Sequence, residues 1–354
     1  MNLYRYIGNK SKLLPHIIDK INRVIGDKKT VVDLMAGTGL VALSLRKAGY
    51  SVIASDMMTY SYHHLNVHLK LSAPPQFQSL PLSNSSPVTM QPNRYEQVLI
   101  VLNHLEPVKG FFYNEFSPEG TPKEDVPPRK YFSAENAGKI DAIRLKIKEW
   151  LERGFLSDLE ESLLKHTLIM AVNEVANISG TYGHYLASLN LNARQRIELR
   201  PVEFEESNPS GHQVHLEFAE KLAADIKADL CYIDPPYMKR QYAANYHILE
   251  TIARGDEPDA KGKSGLRDWW DQHSKLCTKT QGLQSLKTIF DSMDCPLFLV
   301  SYSEDGLFTL EQLTELFETF GEVEVDIIDH NRFRSNESPL PKTLREYLIS
   351  VRKK

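Results

Sequence analysis

A short apolar run that ends in a carboxylate and two prolines constrains the fold of this chain more than any other feature. Residues 230–233 are leucine, cysteine, tyrosine and isoleucine, and Asp-Pro-Pro-Tyr follows at 234–237. Four apolar residues before a turn signal predict a buried strand, as in the parallel sheets of α/β proteins. Sites in open α/β sheets form at the carboxyl ends of strands, so a functional turn is expected at 234–237.

This turn has the chemistry of a pocket for an amino group on a flat ring. Each proline removes a backbone donor and disfavours a helical residue before it, so the chain leaves the sheet in a stiff, extended turn. The carboxylate of Asp234 and a free carbonyl beside it can accept both hydrogens of one amino group, while Tyr237 offers a stacking face. Asp-Pro-Pro-Tyr also occurs by chance, and its meaning depends on context elsewhere in the chain.

That context begins with a glycine loop upstream. The apolar run at 31–34 ends in a turn containing Gly37 and Gly39, and residues 40–45 resume at helical spacing. Such a loop lets a ligand approach the backbone closely. A second strand, at 50–56, ends in an acid placed to accept hydrogen bonds from ribose hydroxyls, which predicts a nucleoside site.

Two neighbouring features bear on which nucleoside is bound. Ala42 stands where the dinucleotide fingerprint has its third glycine, so a nicotinamide enzyme remains open but is less favoured. The amino-terminal segment supplies Tyr6, a flexible Gly8 and Lys10 just before an amphipathic pattern. This segment suits a ligand that carries a carboxylate, and an ordinary solvated basic terminus is the alternative.

Together these segments resemble the Dam-like adenine-specific DNA methyltransferases of the α class, in a branch associated with restriction and modification. The order is the same: an amino-terminal lysine motif, a glycine loop, a recognition region and Asp-Pro-Pro-Tyr. The match is clearest over residues 1–70 and 213–254, with echoes at 129–137, 240–247 and 301–306. The resemblance implies a Rossmann-like methyltransferase sheet with an inserted target-recognition lobe.

The resemblance also implies the reaction and its residues. S-adenosylmethionine is the expected cofactor, and an adenine flipped out of double-stranded DNA is the expected target of the catalytic residues Asp234, Pro235, Pro236 and Tyr237. The expected cofactor contacts are Tyr6, Lys10, Asp33, Gly37, Gly39, Asp56, Glu217 and Phe218. Many relatives have aspartate where Glu217 stands, and a surface carboxylate at a strand end is its alternative. No metal is expected, and a cognate restriction endonuclease is an expected partner.

Other functions stay open at this stage. The pocket chemistry would suit another amine, such as cytosine in DNA, adenine in RNA or a protein glutamine. A non-catalytic DNA-binding module is a further alternative, against which the intact motif at 234–237 weighs.

Composition narrows the class of protein. The 354 residues are 42% hydrophobic and 25% charged, enough for a large α/β core and a second lobe. No apolar stretch reaches the length of a membrane span, and we expect a cytoplasmic protein. Three cysteines, far apart, indicate neither a disulfide framework nor a zinc site. His63, His64 and His68 lie on one predicted helix, where a helix surface is expected rather than a metal site.

The net charge of the chain limits where DNA could bind. A formal net charge of −4 means that phosphate contacts require locally concentrated basic residues. The candidates are Lys239 and Arg240 after the catalytic turn, and Arg332 and Arg334 in a carboxy-terminal loop.

The predicted organisation has two lobes. Residues 1–72 and 213–354 form the two halves of the catalytic domain, and 93–212 form a mostly helical target-recognition insertion after a proline- and serine-rich connector at 73–92. A short strand is expected at 110–115, and an antiparallel hairpin at 323–329 and 344–351 would make a mixed sheet edge. Candidate base contacts in the insertion are Arg129, Lys130, Asn136, Asn177, Tyr182 and His184, each with a structural role as its alternative.

Overall fold

The chain folds into two compact units. The computed structural model describes residues 6–27, 29–82, 92–331 and 343–354. The first unit, here called the sheet unit, comprises the described parts of 8–65, 209–241 and 272–354. The second, the helical unit, comprises those of 1–7, 66–208 and 242–271. The sequence-based division assigns 242–271 to the catalytic half, whereas the contacts place this segment in the helical unit.

Seven strands in the described ranges form one sheet. In chain order they are β1 (Thr30–Asp33), β2 (Ser51–Asp56), β3 (Gln213–Leu216), β4 (Leu230–Ile233), β5 (Leu297–Ser303), β6 (Gly321–Asn331) and β7 (Thr343–Lys353). Their spatial order is β3-β2-β1-β4-β5-β7-β6. The first five strands in this order are parallel, and β7 is antiparallel to both β5 and β6. The predicted fold class is therefore confirmed, including the antiparallel carboxy-terminal hairpin.

Burial explains why the central strands read as continuous apolar runs. All four residues of β4 and all seven of β5 are buried, as expected for strands covered on both faces. One layer of the core is aromatic: Phe290 stacks on Phe298 with ring centroids 4.1 Å apart and on Phe317 at 4.8 Å.

The helices of the sheet unit connect and cover these strands. They are α1 (Leu14–Ile25), α2 (Leu40–Lys47), α8 (Ala219–Leu222), α11 (Gly282–Ser292) and α12 (Leu310–Glu318). Helix α3 (Thr59–Lys70) continues across the boundary between the units. Short 3-10 helices occur at Asn192–Arg194, Trp270–Gln272 and Lys275–Cys277.

The helical unit contains six α-helices within the described ranges. They are α4 (Arg94–Asn103), α5 (Phe111–Phe116), α6 (Ala134–Glu152), α7 (Asp158–Glu174), α9 (Tyr242–Asn245) and α10 (His247–Arg254). Helices α4 and α7 begin with capping boxes, formed by Asn93 with Glu96 and by Ser157 with Glu160. Each box pairs backbone N–H groups at the start of its helix.

The predicted strand at 110–115 was wrong. Helix α5 forms there because the carboxylate of Asp141, on α6, accepts hydrogen bonds from the backbone of Phe112 at 2.9 Å and Tyr113 at 2.8 Å. Those donors belong to the first turn of the helix, which has no partner of its own for them.

Candidate active site

The sheet places its candidate site where the strand order reverses. From β1 the chain continues to β2 on one side, while β4 continues to β5 on the other. Strands β1 and β4 are parallel neighbours, so Asp33 and Asp234 follow the same edge of the sheet. In open α/β sheets, ligands bind in the crevice at such a switch point.

The glycine loop after β1 is held in shape by the acid that ends β2. Gly37 and Gly39 have φ angles of 54° and 77°, a region that favours glycine, and Gly39 caps α2. The backbone of Gly37 donates to Asp56 Oδ2 at 2.8 Å, and that of Met58 donates to Oδ1 at 2.9 Å. Asp56 therefore fixes the conformation of the loop.

Asp33 is a buried carboxyl group beside this loop. Its side chain is fully buried, and neither oxygen makes a hydrogen bond with any described residue. Burial, then the charges of Asp234 and Asp56, raise the pKa of Asp33 well above its usual value. The backbone amides of Met35 and Ala42 lower the pKa but do not offset these larger effects. Buried acceptors without partners indicate a place for a ligand's donors.

The Asp-Pro-Pro-Tyr turn is occupied by a lysine from the amino-terminal segment. Lys10 Nζ lies 2.9 Å from Asp234 Oδ1 and 4.9 Å from the centroid of the Tyr237 ring. The side chains of Lys10 and Asp234 are 4% and 17% exposed, so the pair is largely withdrawn from water. A nitrogen that carries hydrogens thus sits between the carboxylate and the ring.

Burial and neighbouring charges together determine the pKa values of Asp234 and Lys10. Burial raises the pKa of Asp234 to about 6, although Lys10 acts in the opposite direction. For Lys10, burial lowers the pKa, but Asp234, Tyr237 and Glu346 outweigh burial and raise it above the usual value. The lysine is therefore charged at neutral pH, and the carboxylate titrates near the physiological range.

Tyr237 contacts residues that the Asp-Pro-Pro-Tyr motif alone does not identify. The Tyr302 ring, on β5, packs edge-on against it with centroids 5.9 Å apart, and Leu307 donates its backbone N–H to the Tyr237 carbonyl at 3.0 Å. A Cβ at Gly306 would overlap the Tyr302 ring, so glycine is needed in that turn. In the sequence, this turn is indicated only by the run at 301–306, which is part of the family resemblance.

Glu346 is a second residue that sequence reasoning missed. It is buried on β7, paired with Ser303 of β5, and its charge acts on both Lys10 and Asp234. The signal in the sequence is a glutamate directly before the apolar run Tyr347-Leu348-Ile349.

Other predicted site residues lie as follows. The backbone of Glu217 donates to the Asp56 carbonyl at 3.2 Å, so the Glu217–Phe218 pair adjoins the end of β2. The Glu217 carboxylate accepts the Phe218 N–H at 3.0 Å and contacts Lys221. Tyr6 belongs to the helical unit, where its ring stacks on Tyr246 at 4.7 Å.

The predicted basic residues divide into two groups. Lys239 and Arg240 are exposed in the sheet unit shortly after the Asp-Pro-Pro-Tyr turn. Arg332 and Arg334 lie outside the described residues.

Comparison with known proteins decides the family. The family model described as D12 class N6 adenine-specific DNA methyltransferase matches residues 6–318, most of the chain. The chain belongs to this family. This membership confirms the predicted enzyme class. The protein is an adenine-specific DNA methyltransferase that uses a methyl donor.

Curated relatives share its length to different degrees. Type II methyltransferase M.NlaIII of Neisseria lactamica is 33% identical over 94% of this chain and 93% of its own. Modification methylase StsI of Streptococcus sanguinis and type II methyltransferase M.FokI of Planomicrobium okeanokoites are 31% and 32% identical over 99% of this chain. The chain spans about half the length of these two, at 52% of each. The predicted restriction and modification branch is confirmed.

Several polar residues are deeper in the methyltransferase than expected. The histidines of α3 are buried, not on a helix surface; His68, for example, packs edge-on against His166 at 5.4 Å. Among the candidate base contacts, the following are buried and hydrogen-bonded within the protein: Arg129, Asn136, Asn177 and Tyr182.

The described residues contain neither a metal-binding cluster nor a membrane-spanning helix. No group of three or more histidine, cysteine or acidic side chains there could hold a metal ion. No helix in the same ranges is long and apolar enough to cross a membrane.

Proposed function

We propose that the methyltransferase uses S-adenosylmethionine to methylate the N6 amino group of an adenine flipped out of a specific double-stranded DNA sequence. It would protect that sequence from a cognate restriction endonuclease. This proposal extends the family assignment to the cofactor, the base-flipping step and the roles of single residues.

One observation carries the proposal: the position of Lys10 Nζ. This nitrogen lies at hydrogen-bonding distance from Asp234 and over the Tyr237 ring. A target amino group needs the same two neighbours, a carboxylate to accept its hydrogen and an aromatic face for its base. These two distances support a target amino group at the position of Lys10 Nζ, and we expect Lys10 to move aside when a base enters.

The residues act mainly by alignment. An adenine amino nitrogen is a poor nucleophile because its lone pair is delocalised into the ring. Hydrogen bonds to Asp234 and to the Pro235 carbonyl hold both of its hydrogens, and the lone pair turns towards the methyl group. Pro236 keeps that turn stiff, and alignment of this kind is worth about 7–11 kcal/mol.

The cofactor supplies an electrophilic methyl group on a positively charged sulfur. Asp234 and the Pro235 carbonyl would hold the amino nitrogen while it takes the methyl group; the sulfur would keep the electron pair of the broken bond, and the nitrogen would release one proton to water.

The cofactor contacts follow from the glycine loop and its neighbours. Gly37 and Gly39 leave room for close approach, Asp56 at the end of β2 would accept hydrogen bonds from the ribose hydroxyls, and the buried oxygens of Asp33 suit a ligand rich in donors. Glu217 and Phe218 adjoin the end of β2 and would contact the adenine of the cofactor. Lys10 and Tyr6 are the proposed contacts of its methionine end.

The test is to incubate plasmid DNA with labelled S-adenosylmethionine and map methylated positions at single-base resolution. We expect N6-methyladenine at one short sequence. Asp234→Ala should bind the cofactor as the wild type does but lose at least about 100-fold in methyl transfer. Asp225→Ala, an exposed aspartate of the same unit, is the matched control. Label in RNA or protein alone, or an active Asp234→Ala variant, would refute the proposal.

A further inference from the structure

A loop of the helical unit is held rigidly at its base and exposed at its tip. Residues 187–196, here called the reading loop, follow the buried Asn177 and return to Ile197. The loop contains only one short 3-10 turn, Asn192–Arg194. Its conformation therefore depends on side chains that pin it from below.

Two buried amides supply most of this anchoring. Asn177 donates to the carbonyls of Lys130 at 2.8 Å and Leu186 at 3.0 Å, and it accepts the N–H of Asn190 at 2.9 Å. Asn136, on α6, donates to the Gln195 carbonyl at 2.8 Å and accepts the Ile197 N–H at 3.0 Å. Fully bonded buried amides fix both ends of the loop.

The tip presents side chains of a different kind. Leu191 is 77% exposed, the most exposed large apolar side chain among the described residues. Asn192, Arg194 and Gln195 are exposed around it. Within 187–196 there are two arginines and no acidic residue, although the whole chain is acidic.

We propose that the reading loop contacts the bases of the target DNA, with Leu191 as an apolar wedge and Asn192, Arg194 and Gln195 as readers of base edges. Asparagine and glutamine pair with adenine edges and arginine with guanine, while apolar side chains insert between base steps. A single leucine among amides and cations is too small an apolar surface for a protein interface but suits a nucleic-acid groove. The inference rests on the proposed function and adds the specificity-determining residues.

Rigidity supports this role. A loop that is already ordered loses little conformational freedom on binding, so more of its contact energy discriminates between sequences. The buried candidates from the sequence, Asn136 and Asn177, would then position the readers rather than contact DNA themselves.

The experiment compares Leu191→Ser, Asn192→Ala and Gln195→Ala with wild type. The measurements are kcat/KM on the target duplex and on duplexes with one changed base pair, together with cofactor affinity and thermal melting. Leu145→Ser, an exposed leucine of α6, is the matched control. We expect at least a tenfold loss of kcat/KM on the target for Leu191→Ser. Asn192→Ala and Gln195→Ala should lose at least tenfold in the ratio of target to mismatched rates.

Cofactor affinity and melting should stay at wild-type values in all three variants. If all three keep the wild-type rates, ratios and map of methylated sites, as Leu145→Ser should, the reading loop does not read DNA. That result leaves the proposed function intact, whereas a wild-type enzyme that methylates no DNA would refute both.

Discussion

At the scale of single residues, the ion pair of Lys10 and Asp234 sets the charge of the candidate site. Asp234 must be ionised to accept hydrogens from an amino group, and its pKa is raised to about 6 by burial despite Lys10. A group with a raised pKa binds its proton more readily in the folded enzyme, so the active form is lost as the pH falls through about 6.

The first prediction follows from that sign. With saturating cofactor and DNA varied, kcat/KM should be constant near pH 8 and fall about tenfold per pH unit below about 6, since kcat/KM reports groups of the enzyme before DNA binds. The measurement is initial methylation rate across pH 5–8.5, with melting checked at each pH. A flat profile would contradict the assignment of Asp234.

Replacing the lysine gives a second, independent prediction. Lys10→Met removes the positive charge that lowers the pKa of Asp234, while burial remains. The acid limb of the profile should then move to higher pH by at least about 1 unit, as expected for the loss of an opposite charge in contact. Lys10→Arg keeps the charge and should leave the limb near its wild-type position. A limb that does not move in Lys10→Met would show that the pair has no electrostatic role.

At the scale of elements, local sequence patterns predict the helices and strands whose conformation depends only on residues nearby in the chain. Strand β4, the glycine loop and the carboxy-terminal hairpin follow from apolar runs and turn residues within a few positions. Helix α5 does not, because its first turn is capped by Asp141, about 30 residues further on. Its aromatic residues favour a strand locally, and a tertiary hydrogen bond reverses that preference.

The turn after β5 allows a third prediction. In Gly306→Ala the new methyl group overlaps the Tyr302 ring, so Tyr302 must shift, and with it the Tyr237 ring that it supports. Overpacking of this kind costs about 1–3 kcal/mol in the free energy of unfolding. We expect kcat to fall at least about tenfold, because small displacements of positioning groups are costly.

Two measurements check this effect of the turn. Cofactor affinity should change less than twofold, since the glycine loop is on another strand. Gly180→Ala, where an added Cβ meets no atom within 4 Å, is the control and should behave as wild type. Wild-type kcat in Gly306→Ala would show that Tyr302 does not position Tyr237.

At the scale of the whole molecule, the sequence predicts the sheet and the edge that carries the candidate site better than it predicts which polar residues face water. Asp33, Asp56 and Asp234 end predicted strands, so their shared edge follows from parallel topology alone. Glu346 joins them only through the register of β5 and β7, which residue spacing does not reveal. Likewise, Asn136 and Asn177 have the residue type of base readers, but burial makes them internal supports.

The overall charge leads to the last prediction. A chain of net charge −4 attracts DNA only where cations are locally exposed, as Lys239 and Arg240 are beside the Asp-Pro-Pro-Tyr turn. If both contact phosphates, the double variant Lys239→Ala/Arg240→Ala should reduce the slope of log K against log salt by about 2, or about 0.9 per phosphate. Binding should weaken equally on target and unrelated duplexes, because phosphate contacts carry no sequence information.

A matched double variant separates a local contact from loss of charge. Lys29→Ala/Lys227→Ala removes the same two charges from exposed positions elsewhere in the sheet unit. Its slope should stay close to that of the wild type, since only ions displaced at the interface contribute. Both slopes are measured by fluorescence anisotropy between about 50 and 200 mM salt. Equal slopes for the two double variants would mean that Lys239 and Arg240 act through net charge alone. A lower slope only in the first would assign them to the DNA backbone.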